Sequence, residues 1–186
     1  MPAERLTVTI TIMNTGKAIP ADMMAATTDI LGECDMTRRE AAMDYFRKGY
    51  NCSQSIVLAF EDMLPVEKNK LSRMASSFGG GMGRLREVCG SVSGMFMIAG
   101  LLFGYDEPES GEIKAAHYAK IQELAHRFEE RHESIVCREL LGLSVRHDEP
   151  VPEERTNEYY KKRPCPELIG DAAEILEEFI KENPAK

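Results

Sequence analysis

The sequence predicts an all-α fold, a compact helical bundle around a central glycine-rich apolar helix. Between residues 37 and 182, apolar residues recur at helical spacing in segments that start with capping residues and stop at glycine or proline. One segment, from about Val88 to Phe103, carries no charge and is the predicted central helix. Gly90 and Gly94 share one face of it, and Gly100 and Gly104 repeat that spacing, which predicts close packing of another backbone.

The predicted helices follow one another along the chain with short interruptions. Thr37 with Glu40, and Asn51 with Gln54, have the spacing of capping boxes. The glycines of residues 79–83 predict a tight connection rather than a phosphate-binding loop, because no strand precedes them and no Gly-Lys-Ser/Thr follows. Residues 143–163 are charged and interrupted by proline, and predict a surface loop. The predicted helical segments are 37–48, 51–64, 66–78, 88–103, 111–131, 134–142 and 165–182. In the segment 111–131 the predicted apolar face carries Ile113, Ile121, Leu124 and Phe128, and Ser134 is the predicted cap of the segment 134–142.

Residues 1–35 have a different character from the rest of the chain. They contain one alternating, strand-like run, LTVTITI, with no neighbouring strand to pair with. We therefore expect a poorly ordered leader over residues 1–35 and a four-cysteine helical redox domain over residues 36–186.

Composition excludes several function classes. The chain of 186 residues has 23 basic and 31 acidic side chains and a net charge of −8, so neither nucleic acid nor an anionic membrane is an expected partner. The uncharged run is shorter than the roughly 20 residues that span a bilayer, so we expect no stable membrane insertion. The five cysteines are odd in number and widely spaced, unlike a secreted disulfide framework, and predict a cytoplasmic, thiol-reducing location.

Four of the five cysteines fall in or beside the first turn of a predicted helix. Free backbone N–H groups and about half a positive charge at a helix N-terminus stabilise a thiolate, the form that binds metals and attacks disulfides. A basic residue also stands near each of them. A single cysteine at a helix start is more often a core residue, but four cysteines in the same position predict a functional set. Cys34 does not lie at a predicted helix start and is not part of that set. The four predicted site residues are Cys52, Cys89, Cys137 and Cys165.

The chemistry of these four residues is open at this point. No C-x-x-C pair is present, which disfavours a zinc ribbon or a thioredoxin-like motif. Four thiolates brought together would suit an iron–sulfur cluster, two pairs would suit thiol–disulfide exchange, and zinc in a structural interaction module is a third reading. His117, at helical spacing from Ile113 and Ile121, is more simply a core histidine. A redox partner protein stays unidentified, and a homodimer is compatible with the sequence.

The cysteine segments resemble a known family. Cys52 lies in YNCSQSIVLAF, Cys89 in GGGMGRLREVCGSVSG and Cys137 in CRELLG, and Cys165 precedes the last helix. This order is similar to that of the four-cysteine family named for its Cys…GCAxxG…Cys…Cys pattern, over about residues 37–180, with Ser91 where the family has alanine. The resemblance implies an all-helical, redox-active protein that uses these four cysteines, with an iron–sulfur centre as the suspected cofactor.

Overall fold

The predicted all-α fold is confirmed by a computed structural model, which describes residues 36–108 and 110–184. Within these ranges the chain forms helices and no sheet. The expectations for the leader and for Cys34 lie outside the described residues. In chain order the helices are α1 (Arg38–Arg47), α2 (Cys52–Ala59), α3 (Lys68–Ser76), α4 (Gly79–Met82), α5 (Gly90–Phe103), α6 (Gly111–His132), α7 (Cys137–Leu140), α8 (Asn157–Lys162) and α9 (Cys165–Glu182), with a 3₁₀ turn at Glu61–Met63.

Local capping fixes the start of the first two helices. Thr37 and Glu40 form the predicted capping box of α1, and Asn51 and Gln54 form that of α2, with side-chain and backbone groups bonded reciprocally in both. The Asn51 amide also donates to the Ser76 carbonyl at 2.9 Å, which ties the start of α2 to the end of α3. The start of α2 is therefore held from two sides.

Helix α5 is the centre of the fold, as the sequence predicts. It packs against α2, α6 and α9, and its Val92, Met95 and Ile98 side chains are fully buried. Gly94 allows the close approach to α2, because a Cβ there would lie 2.8 Å from Ile56 Cβ. Gly90 plays the same role nearer the start of α5, where a Cβ would meet the Phe78 carbonyl oxygen at 2.9 Å.

Two expectations for helix faces are wrong. A Cβ at Gly100 would meet nothing within 4 Å, so this glycine is not a packing contact, because it lies on the outward side of α5 beyond its neighbours. On α6, Leu124 and Phe128 are buried as predicted, but Ile113 is 47% exposed because the start of this long helix extends past the core.

The terminal helix α9 closes the core on the other side of the bundle. It packs against α1, α5, α6 and α2, and its apolar stripe includes Ile169, Ala173, Leu176 and Phe179 with no exposed surface. No helix in residues 36–108 and 110–184 combines the length and the apolar character needed to cross a membrane.

The connection before α9 is more structured than the sequence indicates. Residues 143–163, the predicted surface loop, contain the short helix α8, whose start is capped by the Thr156 side chain. Ser134 is not the cap of the next helix; its hydroxyl accepts from Val136 N–H, and α7 is a single turn that begins at Cys137. These local differences arise because long-range contacts hold both segments against the site described below.

Candidate functional site

Four helices begin at one cavity, and each begins with a cysteine. Cys52 is the first residue of α2, Cys89 the N-cap of α5, Cys137 the first residue of α7 and Cys165 the first residue of α9. All four line a cavity of about 370 Å³. Residues that are far apart in sequence are therefore brought together at one end of the bundle.

Backbone pairing holds Cys89 and Cys137 on two adjoining segments. The segment before α5 and the segment before α7 meet in an antiparallel bridge between Val88 and Val136. Cys89 N–H donates to the Ile135 carbonyl at 2.8 Å, and Cys137 N–H donates to the Glu87 carbonyl at 2.6 Å. These bonds fix the two cysteines before their helices start.

Cys52 faces Cys165 across the same cavity. A hydrogen bond between the two thiols is the largest cause that raises the pKa of Cys52, followed by burial. Cys52 also lies against the start of α5, where a Cβ on Gly90 would come within 3.0 Å of Cys52 Cβ. Glycine at this position therefore lets α5 approach the cysteine at the start of α2.

Burial decides the protonation state of the other two thiols. Cys89 and Cys137 are 5% and 6% exposed. Burial raises the pKa of Cys89 to about 12, with a further contribution from the nearby Cys52. Burial also raises the pKa of Cys137, although Arg86 opposes the shift. In the metal-free chain, burial therefore opposes the thiolate form that the helix N-termini are expected to stabilise.

A left-handed turn covers the cavity. Six of the residues that connect α3 to α5 have positive φ; they are Gly80, Gly81, Met82, Gly83, Arg84 and Arg86. A non-glycine residue in this conformation costs roughly 1–2 kcal/mol. At Gly81 a side chain is excluded as well, because a Cβ would lie 2.6 Å from Cys137 Cβ. The turn also brings the Gly80 N–H to the Cys52 sulfur.

Arg86 is the cation closest to the thiols. It is only 2% exposed, its Nη1 lies 3.9 Å from Cys137 Sγ, and its Nη2 bonds Asp148 at 2.6 Å. Arg84 bonds the same carboxylate at 2.8 Å. The Arg86 hydrogen bond is the main reason why the pKa of Asp148 is lowered. Arg86 is closest in sequence to Cys89, but in the structure its guanidinium contacts Cys137.

The other basic residues near the cysteines in sequence behave differently. Lys48 pairs with Asp44 on the surface, and Arg138 pairs with Glu87. Arg163 pairs with Glu153 at the cavity wall. His117 lies away from the cavity, half-buried against the Tyr105 ring, with no hydrogen-bond partner for its Nδ1 among the residues described.

Sequence reasoning missed part of the cavity wall. Segment 143–163 contributes Pro150, Pro152, Glu153, Arg155, Tyr159 and Arg163 to the lining. Arg155 anchors it, since its guanidinium donates to the Phe46 carbonyl at 2.7 Å and stacks on the Phe46 ring. The only local signal was the pair of tyrosines within an otherwise charged stretch, which is unusual for a solvated loop.

The metal-free arrangement is not a closed metal site. Among the residues that the structure describes, no three histidine, cysteine, aspartate or glutamate side chains are grouped so that they could hold a metal ion. The four cysteines form no disulfide and are free thiols. Any metal centre would thus have to draw the sulfurs closer together.

Comparison with protein families agrees with the cysteine pattern. The family described as "Putative redox-active protein (C_GCAxxG_C_C)" matches residues 50–179, a range that includes all four cavity cysteines. Comparison with curated proteins and with solved structures gave no match. Since the family match covers most of the chain and the helical fold agrees with the pattern, the chain belongs to the C_GCAxxG_C_C family of putative redox-active proteins.

Proposed function

We propose that the protein transfers electrons and that Cys52, Cys89, Cys137 and Cys165 together hold an iron–sulfur cluster. One observation carries this proposal: cysteines from four separate helices line one cavity of about 370 Å³. Four cysteine ligands are the usual set for an iron–sulfur cluster. The cluster would supply one-electron transfer, while the chain would bind and shield it.

The surroundings of the thiols suit such a centre. Hydrogen bonds to cluster sulfurs and burial tune its potential. Here the Ser91 hydroxyl lies 3.1 Å from the Cys89 sulfur and Arg86 Nη1 lies 3.9 Å from the Cys137 sulfur, while the Gly80 N–H lowers the pKa of Cys52 against the larger effects that raise it. Against the proposal, the sulfurs are not grouped for a metal and three of the thiols have raised pKa values. Binding must therefore release their protons, as metal binding to cysteine does.

The contact between Cys52 and Cys165 favours a second candidate, thiol–disulfide exchange. In this reaction the two S–H bonds break, one S–S bond forms, and two electrons and two protons pass to an oxidised partner, such as a protein disulfide. The nearness of these two thiols, which line the same cavity and interact strongly enough to raise the pKa of Cys52, supports this candidate. Cys89 and Cys137 would form the other pair, although the Val88–Val136 bridge holds them on a diagonal of two adjoining segments rather than opposite each other. A structural zinc site, the third reading, has no separate observation in its favour.

An absorption spectrum separates these candidates. The protein is purified without oxygen and, if colourless, incubated with ferrous iron, sulfide and a thiol reductant. The cluster predicts a broad band near ~400 nm that bleaches on reduction, with iron and acid-labile sulfide bound. A colourless protein that reversibly gains one or two disulfides supports exchange instead. A colourless protein that retains stoichiometric zinc would support the structural reading.

The proposal also includes the cellular compartment, the partners and the oligomeric state of the protein. Free thiols beside one another fit a thiol-reducing compartment, and we propose the cytoplasm. We propose a redox partner protein as electron donor or acceptor, with a homodimer as the expected assembly and no nucleic-acid or membrane partner. Sedimentation analysis of the reduced chain tests the assembly.

A further inference from the structure

The cysteine cavity has a positive lining in an acidic chain. The full sequence carries a net charge of −8, yet the charged side chains that line the cavity are four arginines and one glutamate. They are Arg84, Arg86, Arg155, Arg163 and Glu153. Glu153 pairs with Arg163, and Asp148, which is outside the lining, pairs with both Arg84 and Arg86, so four arginines face two carboxylates and a surplus of two positive charges remains. The cavity is thus suited to a negatively charged occupant.

Arg86 has a donor that the protein leaves unused. Its guanidinium bonds Asp148 through Nη2 and Cys137 Sγ through Nη1, but its buried Nε has no partner within residues 36–108 and 110–184. A buried N–H of a charged group without an acceptor is costly, at roughly 1–3 kcal/mol or more. An acceptor supplied by a ligand in the cavity would remove this cost.

The backbone around Arg86 is strained in a way that favours a functional role. Arg84 and Arg86 both have positive φ, at 70° and 60°. Such conformations persist where the surrounding structure enforces them, and they concentrate at binding and catalytic sites. Here the strained segment places Arg84 and Arg86 in the cavity lining, with both guanidinium groups on one carboxylate, Asp148.

We propose that this cavity binds a small anion, with Arg86 as its buried contact beside Cys137. The ligand class is a compact group with negatively charged oxygens, either an inorganic oxyanion or a carboxylate, because guanidinium groups bind both through paired N–H donors. The volume of about 370 Å³ is within the range of roughly 300–1,000 Å³ that small-molecule sites occupy. The inference goes beyond the redox centre and concerns the reduced, metal-free chain, because a cluster held by the same four cysteines would occupy this cavity.

Calorimetric titration of the reduced, metal-free full chain tests the proposal. The probes are sodium sulfate, as an inorganic oxyanion, and sodium malonate, as a small carboxylate, with sodium chloride at equal ionic strength as the control for screening. We expect saturable binding of sulfate or malonate with one site per chain. The probe that binds shows whether the site takes an inorganic oxyanion or a carboxylate. If neither probe binds above the chloride control, the proposal is overturned and the arginines serve another purpose.

Substitutions then locate the binding. Arg86→Gln should weaken binding of the successful probe at least about tenfold, the loss expected for one charge-assisted hydrogen bond. Arg138→Gln is the control for loss of one positive charge near the site, because Arg138 lies outside the cavity lining and pairs with Glu87. The affinity of this variant for the probe should stay within about twofold of that of the unsubstituted chain. Equal binding by both variants would contradict the proposal.

Arg86→Lys covers the case in which Arg86→Gln does not fold. Lysine keeps the charge next to Asp148 but lacks the planar fork and the Nε donor, so weaker binding is again expected. Unchanged binding by this variant would show that the unused Nε is not a contact. Because every titration uses metal-free protein, failure of the anion site leaves the cluster proposal standing, and the reverse also holds.

Discussion

The Cys89 thiol shows how burial of one residue controls its protonation. Its Sγ lies 3.1 Å from the Ser91 hydroxyl, in surroundings where burial raises its pKa to about 12. An unfolded cysteine has a pKa near about 8.5. The folded chain consequently holds this proton more firmly than the unfolded chain does.

This difference makes stability depend on pH. Because the folded pKa is raised, the stabilising contribution of Cys89 is complete below about pH 8.5 and is lost as the pH rises toward about 12. We expect the free energy of unfolding of the reduced, metal-free chain, measured in urea, to fall between about pH 8.5 and 10.5. Cys89→Ala should reduce this slope, and an unchanged slope would show that Cys89 does not titrate as described.

At the scale of the helices, glycine controls how closely α2 and α5 pack. A Cβ on Gly94 would lie 2.8 Å from Ile56 Cβ, closer than side chains approach. Gly94→Ala should therefore lower the free energy of unfolding by roughly 1–3 kcal/mol, as overpacked cores do.

Gly100→Ala is the matched control on the same helix. Apart from the backbone of its own helix, no atom of the described residues lies within 4 Å of the added Cβ, so only helix propensity changes, and stability should rise by up to about 1 kcal/mol. Denaturant unfolding of both variants checks the pair. Equal effects on stability would contradict the packing account of α5.

Local sequence signals predicted the helix starts but not the cavity wall. The capping residues Thr37 and Asn51 act within a few residues of their position, so their roles follow from spacing alone. Segment 143–163 takes its place through long-range bonds, such as Asp148 N–H to the Arg84 carbonyl at 3.0 Å, which no local pattern reports. The raised pKa values of the thiols could not be predicted from local sequence either, because they arise from burial, and burial depends on the whole fold.

At the scale of the whole molecule, Asp171 joins three helices. On α9, it bonds Arg39 of α1, and one of its carboxylate oxygens lies 3.0 Å from His132 Nε2 of α6. Arg39 also bonds the more exposed Glu167, so loss of the Asp171 carboxylate would remove the less exposed of its two ion pairs together with the contact to His132.

Asp171→Asn should therefore lower the free energy of unfolding by about 1–2 kcal/mol. Asp44→Asn removes a more exposed pair with Lys48 within one helix and should change it by less than about 0.5 kcal/mol. Thermal or urea unfolding of the two variants measures the contrast. Comparable losses would show that Asp171 does not connect the helices energetically.

The central claim is that four helix-start cysteines form one centre, and metal content of single variants tests it most directly. Iron and acid-labile sulfide are measured after anaerobic reconstitution of the unsubstituted chain and of chains with one cysteine changed to serine. We predict that serine at Cys52, Cys89, Cys137 or Cys165 sharply reduces bound iron and the band near ~400 nm, while Cys34→Ser keeps both. Full iron retention in any of the four variants, or an equal loss in Cys34→Ser, would contradict the claim.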